Sequence, residues 1–561
     1  MNTIQKYFKT RTQNDTRSHK RINPARIVCE SPATDGASAF LIDSKCYQSN
    51  VCDGNAGFKL EGSVLLDFGR EIYGGIEIIT GSNSGSHEIA LKVRFGESAS
   101  EAMQDAEYSH IVQNNVIKAP RNGSVETGLC GFRFVSLEVI EQGCYVDLKA
   151  VRAILHYHDL PYLGSFECSD PILNEIWDTG AYTVHLNMQE YLWDGIKRDR
   201  LVWAGDVHPA VMVINSVFGN VDIVPKTLDY LRESTPLPSF MNDYCSYSLW
   251  WLITLYDWYL YQGDLEFLKK QREYIIGLLH YIGEYISKDG IECLENNRFL
   301  DWNTSGDKPA IHAGLQALML KAFNVGNNLL NTLECKHDAE YAKKMTVLLK
   351  KNIPETDNKQ AIALQVLAGQ LDAVQANQDL LSQNPLQNLS TFYGYYVLNA
   401  RGMAGDLTNC VDMLKDYWGG MLKLGATTFW ESFNMDWLEN AGRIDELNPD
   451  KVDVHKTYGE HCYKGYRHSL CHAWAAGPTA WLSEYILGVT PAKPGCLEVQ
   501  INPPPLAELG LKFVRGTFPT PHGVIHVNHK LINNKVRTEV MAPDAVSVLV
   551  VEDETNIALA N

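Results

Sequence analysis

Several signatures are missing from this 561-residue chain, and each absence removes a class of function. No stretch approaches the roughly 20 consecutive apolar residues that a helix needs to cross a bilayer, so no membrane partner is expected. There is no excess of positive charge. Forty-nine Lys and Arg face 67 Asp and Glu, a formal net charge of −18, and such a surface repels the phosphates of nucleic acid. The 13 cysteines form no Cys-x-x-Cys pair and no ladder of spacings, which suits free thiols better than a disulfide framework. Residues Met1 to Thr10 lack the apolar run of a secretory signal, and with the thiols this gives an expected cytoplasmic location. His-Glu-x-x-His, the dinucleotide-binding Gly-x-Gly-x-x-Gly and the phosphate-binding Gly-x-x-x-x-Gly-Lys are absent, as is the Gly-x-Ser-x-Gly nucleophile elbow. The neighbourhood of His461 and Cys462 matches no common ligand spacing, so neither metal nor cofactor is expected.

What is present is ordinary in bulk and uneven along the chain. Apolar residues make up 45% and charged residues 21%, the balance of a soluble globular protein. The length exceeds one core, so two to four domains are expected. Twelve Trp and 27 Tyr supply ring faces on which the C–H faces of sugars stack, although most such rings serve packing. Residues 1–163 carry short alternating or β-branched runs between turn residues: Ser63–Gly69, Gly75–Gly81, Ile89–Phe95, Phe132–Ile140 and Val151–Tyr157. Their spacing predicts an N-terminal β-sandwich. The texture changes at Gly164, and Ser169-Asp170-Pro171 is a helix-start signal. Over residues 164–490 apolar residues recur at three and four in Ile172–Leu186, Ser248–Tyr261, Leu265–Ile286, Ile311–Leu333, Ala339–Leu349, Asp372–Leu381, Thr391–Ala400 and Ser469–Leu487. Helical hairpins over such a length point to an α/α toroid, whose loops converge at one end on a central funnel. Residues 491–561 read as a small C-terminal β domain, with strands at Leu497–Ile501, Gly523–His529, Val536–Met541 and Val546–Val551.

Cleaving a glycoside needs one carboxylic acid to protonate the leaving oxygen and one carboxylate to activate water or attack the sugar. The densest candidate is Trp193-Asp-Gly-Ile-Lys-Arg-Asp-Arg-Leu-Val-Trp-Ala-Gly-Asp206, which holds Asp194, Asp199 and Asp206 with Lys197, Arg198 and Arg200. Two Trp, two Gly and alternating charge make it a structured loop between helices. Each acid beside an Arg is open to a plain ion-pair explanation, but three together carry a desolvation cost without evident structural gain. A second candidate is Glu431, which follows Trp430 at the end of an apolar stretch, where burial raises a carboxyl pKa towards acid–base duty. Asp301-Trp302 in a loop, and His468-Ser-Leu-Cys-His472 with Trp474, complete the set.

At these residues the sequence resembles the α-L-rhamnosidases of glycoside hydrolase family 78. The resemblance rests on Leu66–Gly75, Val93–Glu97, the Asp194–Asp206 loop, Asp301-Trp302, Thr427–Glu431 and Ser469–His472. It implies a central (α/α)6 barrel with an N-terminal β-sandwich and a small C-terminal β domain. It also implies an inverting hydrolase that removes terminal α-L-rhamnose from small rhamnosides or oligosaccharides without a cofactor. By position the acid falls on Asp199, where the family more often has Glu, and the base on Glu431. Asp194, Arg198, Trp203, Asp206, Asp301, Trp302, Trp430 and His472 fall among residues that hold the sugar. The aromatic of the 242–251 region falls on Tyr247 or Trp250, with Trp251 the third choice. The competing readings are another (α/α)6 glycosidase with a different sugar, and a non-catalytic carbohydrate-binding relative. Homodimers are the commonest assembly for an enzyme of this size, and the sequence does not decide the matter.

Overall fold

The computed structural model describes residues 15–32, 34, 36–37, 58–84, 87–105, 108, 111, 113–295, 297–448, 450–457, 459, 463–551 and the strand 556–560. The His461–Cys462 pair lies outside the described residues. The N-terminal part is a nine-stranded sheet: β1 (Ser18–Ile22), β2 (Arg26–Glu30), β3 (Phe58–Leu60), β4 (Ser63–Asn83), β5 (Glu88–Gly96), β6 (Asn115–Pro120), β7 (Ser124–Glu126), β8 (Cys130–Val139) and β9 (Val146–Tyr157). The runs Ser63–Gly69 and Gly75–Gly81 are one strand, not two. The 21-residue β4 continues through a register shift against β8 between Asp67 and Ile72, at a glycine (Gly69, φ +84°) that accepts the bend. One bent strand can therefore pair with β2, β7, β8 and β9 along its length.

The helical part starts where Asp170 accepts a hydrogen bond from the Ile172 N–H and Pro171 occupies the first turn. Its longer helices are α1 (Pro171–Asn187), α2 (Val207–Val217), α3 (Ile223–Ser234), α4 (Cys245–Gln262), α5 (Leu265–Gly283), α6 (Lys308–Thr332), α7 (Lys336–Leu349), α8 (Lys359–Leu367), α9 (Gly394–Met403), α10 (Leu407–Met413) and α11 (Gly477–Trp481). Successive contacts run α1 to α2, α2 to α4, α4 to α6, α6 to α8, α8 to α9, α9 to α11, and α11 back to α1. The helices of this circuit are heavily buried, most completely α2, where all of Val207–Val217 is buried. Helices α3 and α7 bury only one side. The helix expected over Ser469–Leu487 is broken. Ser469–Cys471 is non-helical, and the chain then passes through a 3-10 turn, α11 and a π turn. Short polar side chains and a Gly-Pro pair at 477–478 oppose a continuous α-helix there.

The C-terminal strands are β11 (Val489–Pro491), β12 (Glu498–Ile501), β13 (Phe513–Thr520), β14 (Gly523–Ile532), β15 (Lys535–Met541), β16 (Ser547–Val550) and β17 (Asn556–Ala560). Strand β10 (Ser165–Cys168), just before α1, pairs antiparallel with β13, so the entrance to the helical part is tied to the C-terminal sheet. The helices and the C-terminal sheet share one hydrophobic core, while the N-terminal sheet has its own. Polar joints link the two. Arg133 binds both oxygens of Asp67 (2.8 and 2.9 Å) and donates to the Gly425 carbonyl (3.0 Å).

Candidate active site

The Trp193–Asp206 segment is a loop held at its neck by its own backbone. The Asp194 N–H donates to the Leu201 carbonyl (3.0 Å), and the Leu201 N–H returns to the Asp194 carboxylate (2.9 Å). At its tip Asp199 and Arg200 have φ of +58° and +51°. This left-handed region costs a non-glycine residue roughly 1–2 kcal/mol, which the surrounding bonds must offset. The loop docks on the segment after Arg467: Gly195 bridges His472, and the Ala473 N–H donates to the Asp194 carbonyl (3.0 Å).

Nine of the twelve expected site residues line one pocket: Asp194, Arg198, Asp199, Trp203, Asp206, Tyr247, Trp302, Glu431 and His472. At about 130 Å³ it is smaller than the 300–1,000 Å³ of drug-sized sites, which suits a single ring. Arg198 is its hub. Its side chain donates to the Arg467 carbonyl, one amino group pairs with Asp199, and the other meets Glu431 Oε2 at 2.5 Å. Glu431 Oε2 also accepts the Ser469 N–H (3.0 Å), and Oε1 lies 3.7 Å from His472 Nε2. The same imidazole nitrogen is 4.0 Å from Asp206, whose carboxylate accepts the Tyr247 hydroxyl (3.2 Å).

Burial dominates the electrostatics. It raises Asp194 to about 8 against the pull of its backbone hydrogen bonds, with the charges of Asp199 and Glu431 adding to the rise. It pushes Asp206 well above the carboxylate range, with the Asp194 charge second. It also raises Glu431, opposed by Arg198 and the Ser469 N–H. Burial holds His472 far below its ordinary value and takes His468 to about 3, so both rings are neutral. Asp199 differs from the other acids: its side chain is 34% exposed and in contact with Arg198.

Three expected residues lie elsewhere. Trp250 is buried in the core: it shares the face of α4 that carries Tyr247 but lies one turn further along, where Tyr396 of α9 stacks on it at 4.6 Å. Trp430 is buried among Phe433 and His468, outside the pocket that its neighbour Glu431 lines. Asp301 stands behind the pocket and caps the 3-10 turn that carries Trp302, accepting the Trp302 N–H (2.7 Å), the Ser390 hydroxyl (2.5 Å) and the Gln360 amide (2.9 Å). Four further residues complete the lining, Tyr244, Phe299, Arg467 and Trp474, of which Trp474 was already a candidate in the sequence. Trp474 had a signal in its place beside His472, onto which its ring packs at 4.3 Å. The other three carry none beyond residue type.

Behind the loop, Glu97, Glu101 and His455 form a group of the kind that can hold a metal ion. The protein's own ammonium occupies that place. Lys197 Nζ lies 3.0 Å from Glu97, 3.3 Å from Glu101 and 2.7 and 2.6 Å from the Tyr466 and His468 carbonyls.

The helices thus stand between two sheet domains, with an acid-lined pocket among the loops at the helix ends. Residues 161–333 match the bacterial alpha-L-rhamnosidase six-hairpin glycosidase domain, and residues 488–557 match the bacterial alpha-L-rhamnosidase C-terminal domain. An alpha-L-rhamnosidase of Alteromonas sp. is 24% identical over 74% of this chain and 48% of its own length. The family 78 rhamnosidase of Bacillus sp. GL1 superposes with a TM-score of 0.72 at 22% identity, covering 88% of this chain and 54% of that one. The rhamnosidase of Klebsiella oxytoca with rhamnose bound gives 0.64 at 20% identity, covering 84% and 97%. The chain resembles the α-L-rhamnosidases of glycoside hydrolase family 78 in both sequence and fold. It spans about half the length of the curated relatives it matches. Glu431 and His472 fall outside both matched segments.

Proposed function

We propose that this chain is an inverting glycoside hydrolase that removes terminal α-L-rhamnose from small glycosides, with its helices closed into an (α/α)6 barrel. The observation that carries this reading is Arg198, which joins Asp199 and Glu431 in a pocket that also holds two buried acids, Asp194 and Asp206. Glu431, whose ionised form Arg198 and the Ser469 N–H favour against burial, takes a proton from water approaching the anomeric carbon. Asp199, at the pocket mouth, hands a proton to the leaving oxygen on the opposite face. Charge develops on the anomeric carbon and ring oxygen. Asp206 and neutral His472 stand beside the sugar, and Trp203, Trp302 and Tyr247 present ring faces and a hydroxyl to it. The chain would act in the cytoplasm on small imported rhamnosides.

The test is a panel of nitrophenyl glycosides, with the product anomer read by NMR. Cleavage of the α-L-rhamnoside with first release of the β-anomer is the expected result. Cleavage of another glycoside alone sinks the sugar assignment, retention sinks the mechanism, and rhamnose binding without turnover makes the chain a binding protein. One observation favours a second donor. Asp194 is buried with a pKa of about 8 and carries a proton at neutral pH, whereas Asp199 is one-third exposed beside Arg198. An acid variant keeps activity on substrates with a good leaving group. Asp199→Asn should therefore cleave rhamnosyl fluoride far better than an alkyl rhamnoside. If Asp194→Asn shows that selectivity instead, Asp194 is the donor.

A further inference from the structure

Of the buried acids of the N-terminal domain that the proposed mechanism leaves unused, Glu97 reaches to within one peptide of the proposed base. Gly96 ends β5 where a Cβ would lie 2.4 Å from the Ala102 nitrogen, so only glycine lets the chain fold back here. The fold-back is fixed by the Glu97 N–H, which donates to Glu101 (2.9 Å). Glu97 is thereby fully buried and aimed at the 469–470 peptide. Its Oε2 accepts the Leu470 N–H at 2.6 Å and pairs with Lys197 at 3.0 Å, and its Oε1 accepts the Ser469 hydroxyl at 3.4 Å. Ser469 and Glu431 bind each other twice. The Ser469 N–H donates to the Glu431 carboxylate and the Glu431 N–H donates to the Ser469 carbonyl, both at 3.0 Å.

We propose that Glu97, from the N-terminal sheet domain, is a positioning residue for Glu431: it holds the Ser469–Leu470 peptide so that the Ser469 N–H reaches the Glu431 carboxylate. The N-terminal sheet is then part of the reactive apparatus and not only a flanking module. The kinetic side of this inference rests on the role proposed for Glu431; the geometric side does not. A hydrogen bond to the ionised carboxylate favours that form, so loosening the peptide should make Glu431 harder to ionise. The other groups facing Glu431 are Arg198, Asp199, Asp194, Asp206 and His472, and none is bonded to Glu97.

The experiment compares Glu97→Ala with Glu97→Gln in the full chain. Gln can keep its oxygen on the Leu470 N–H and turn its amide to the Ser469 hydroxyl, whereas Ala removes the brace. Two readouts are taken. One is the pH midpoint of carbodiimide labelling at Glu431, followed by peptide mass spectrometry, which needs no substrate. The other is the kcat and KM of whichever glycoside the wild type cleaves. Glu97→Ala should raise the labelling midpoint and lower kcat about tenfold, a loss of ~1.4 kcal/mol in transition-state stabilisation, with KM within twofold. Glu97→Gln should restore both. A folded Glu97→Ala protein with an unmoved midpoint overturns the proposal, as does Glu97→Gln matching Glu97→Ala. If Glu97→Ala fails to fold, Glu97→Leu, which refills the volume and leaves Lys197 paired with Glu101, carries the same two outcomes. An inactive wild type sinks the functional reading alone, because the labelling arm still decides this one.

Discussion

Two buried polar clusters lie on either side of the Arg467–His472 segment, and they are built in opposite ways. Around Lys197 acceptors surround the one cation: Glu97, Glu101 and two carbonyls. Those carboxylates are spoken for in turn by the Leu470 and Glu97 N–H groups. In the pocket four acids, Asp194, Asp199, Asp206 and Glu431, stand with two arginines, of which Arg198 pairs with Glu431 and Asp199 while Arg467 lies 3.9 Å from Asp199, and His472 Nδ1 meets no hydrogen-bond partner among the described residues. The first cluster is saturated and ties two domains to one loop. The second has more acceptors than the protein supplies donors for; burial pushes its acids up in pKa, as it also raises Glu101 of the first cluster to about 7. A ring carrying several hydroxyls offers the donors that the second cluster is short of.

The largest effect that would sharpen this contrast is on turnover. Glu431→Gln keeps the shape of the pocket and removes its base, so kcat should fall by about 10²–10⁴-fold while the melting temperature holds. Near-normal kcat on the rhamnoside would move the base elsewhere. The next effect is on stability and runs the other way between clusters. Lys197→Met strands Glu97 and Glu101 in a dry interior and should cost about 3–5 kcal/mol. Asp206→Asn relieves a desolvated acid that keeps its Tyr247 contact, and should cost almost nothing in folding while lowering activity. Urea unfolding of both variants would break the comparison if their order were reversed.

A smaller effect should appear only as pH changes. Asp194 is raised to about 8 in the folded protein, against an ordinary value near 4 when unfolded. Between those values the folded state holds the extra proton. The contribution of Asp194 is therefore fully present below about pH 4, declines as pH rises and is gone above about pH 8. Asn mimics the protonated acid and does not titrate. Asp194→Asn should match the wild type near pH 4 and become the more stable protein by pH 8. Urea midpoints that stay parallel from pH 4 to 8 would mean that Asp194 titrates normally.

Much of this was legible in the sequence, for a physical reason. The loop's acids and bases crowd within 13 residues, and a segment so polar beside two Trp makes sense only around a ligand or an ion-pair network. Both explanations hold in part: Asp194, Asp199 and Asp206 face the pocket, while Lys197 belongs to the network. Periodicity found most long helices but passed over α3, although Val224, Leu228 and Leu231 recur along it at four and three. What local pattern cannot show is which side of a helix or extended segment meets a partner more than 100 residues away. Tyr247 and Trp250 look equivalent along α4 until α9 supplies Tyr396 to cover one of them. Glu97 carries no local mark of its role, because its partners lie more than 370 residues further on.

The smallest effect concerns Asp301, which the sequence places with the sugar-binding acids and the structure places with the saturated ones. Its carboxylate already accepts from the Trp302 N–H, the Ser390 hydroxyl and the Gln360 amide, so it has little capacity left for a sugar hydroxyl. Its influence on the pocket runs through Trp302, whose turn it caps. Loss of a cap of this kind costs about 1 kcal/mol. Asp301→Asn retains one oxygen for the Trp302 N–H but must turn its amide towards Ser390 or Gln360. It should raise KM a few-fold, leave kcat nearly unchanged and lower the melting temperature slightly, while Trp302→Ala raises KM further without the stability loss. If Asp301→Asn instead cuts kcat by orders of magnitude, Asp301 acts on the sugar directly, and the division between saturated and unsaturated acids fails at this residue.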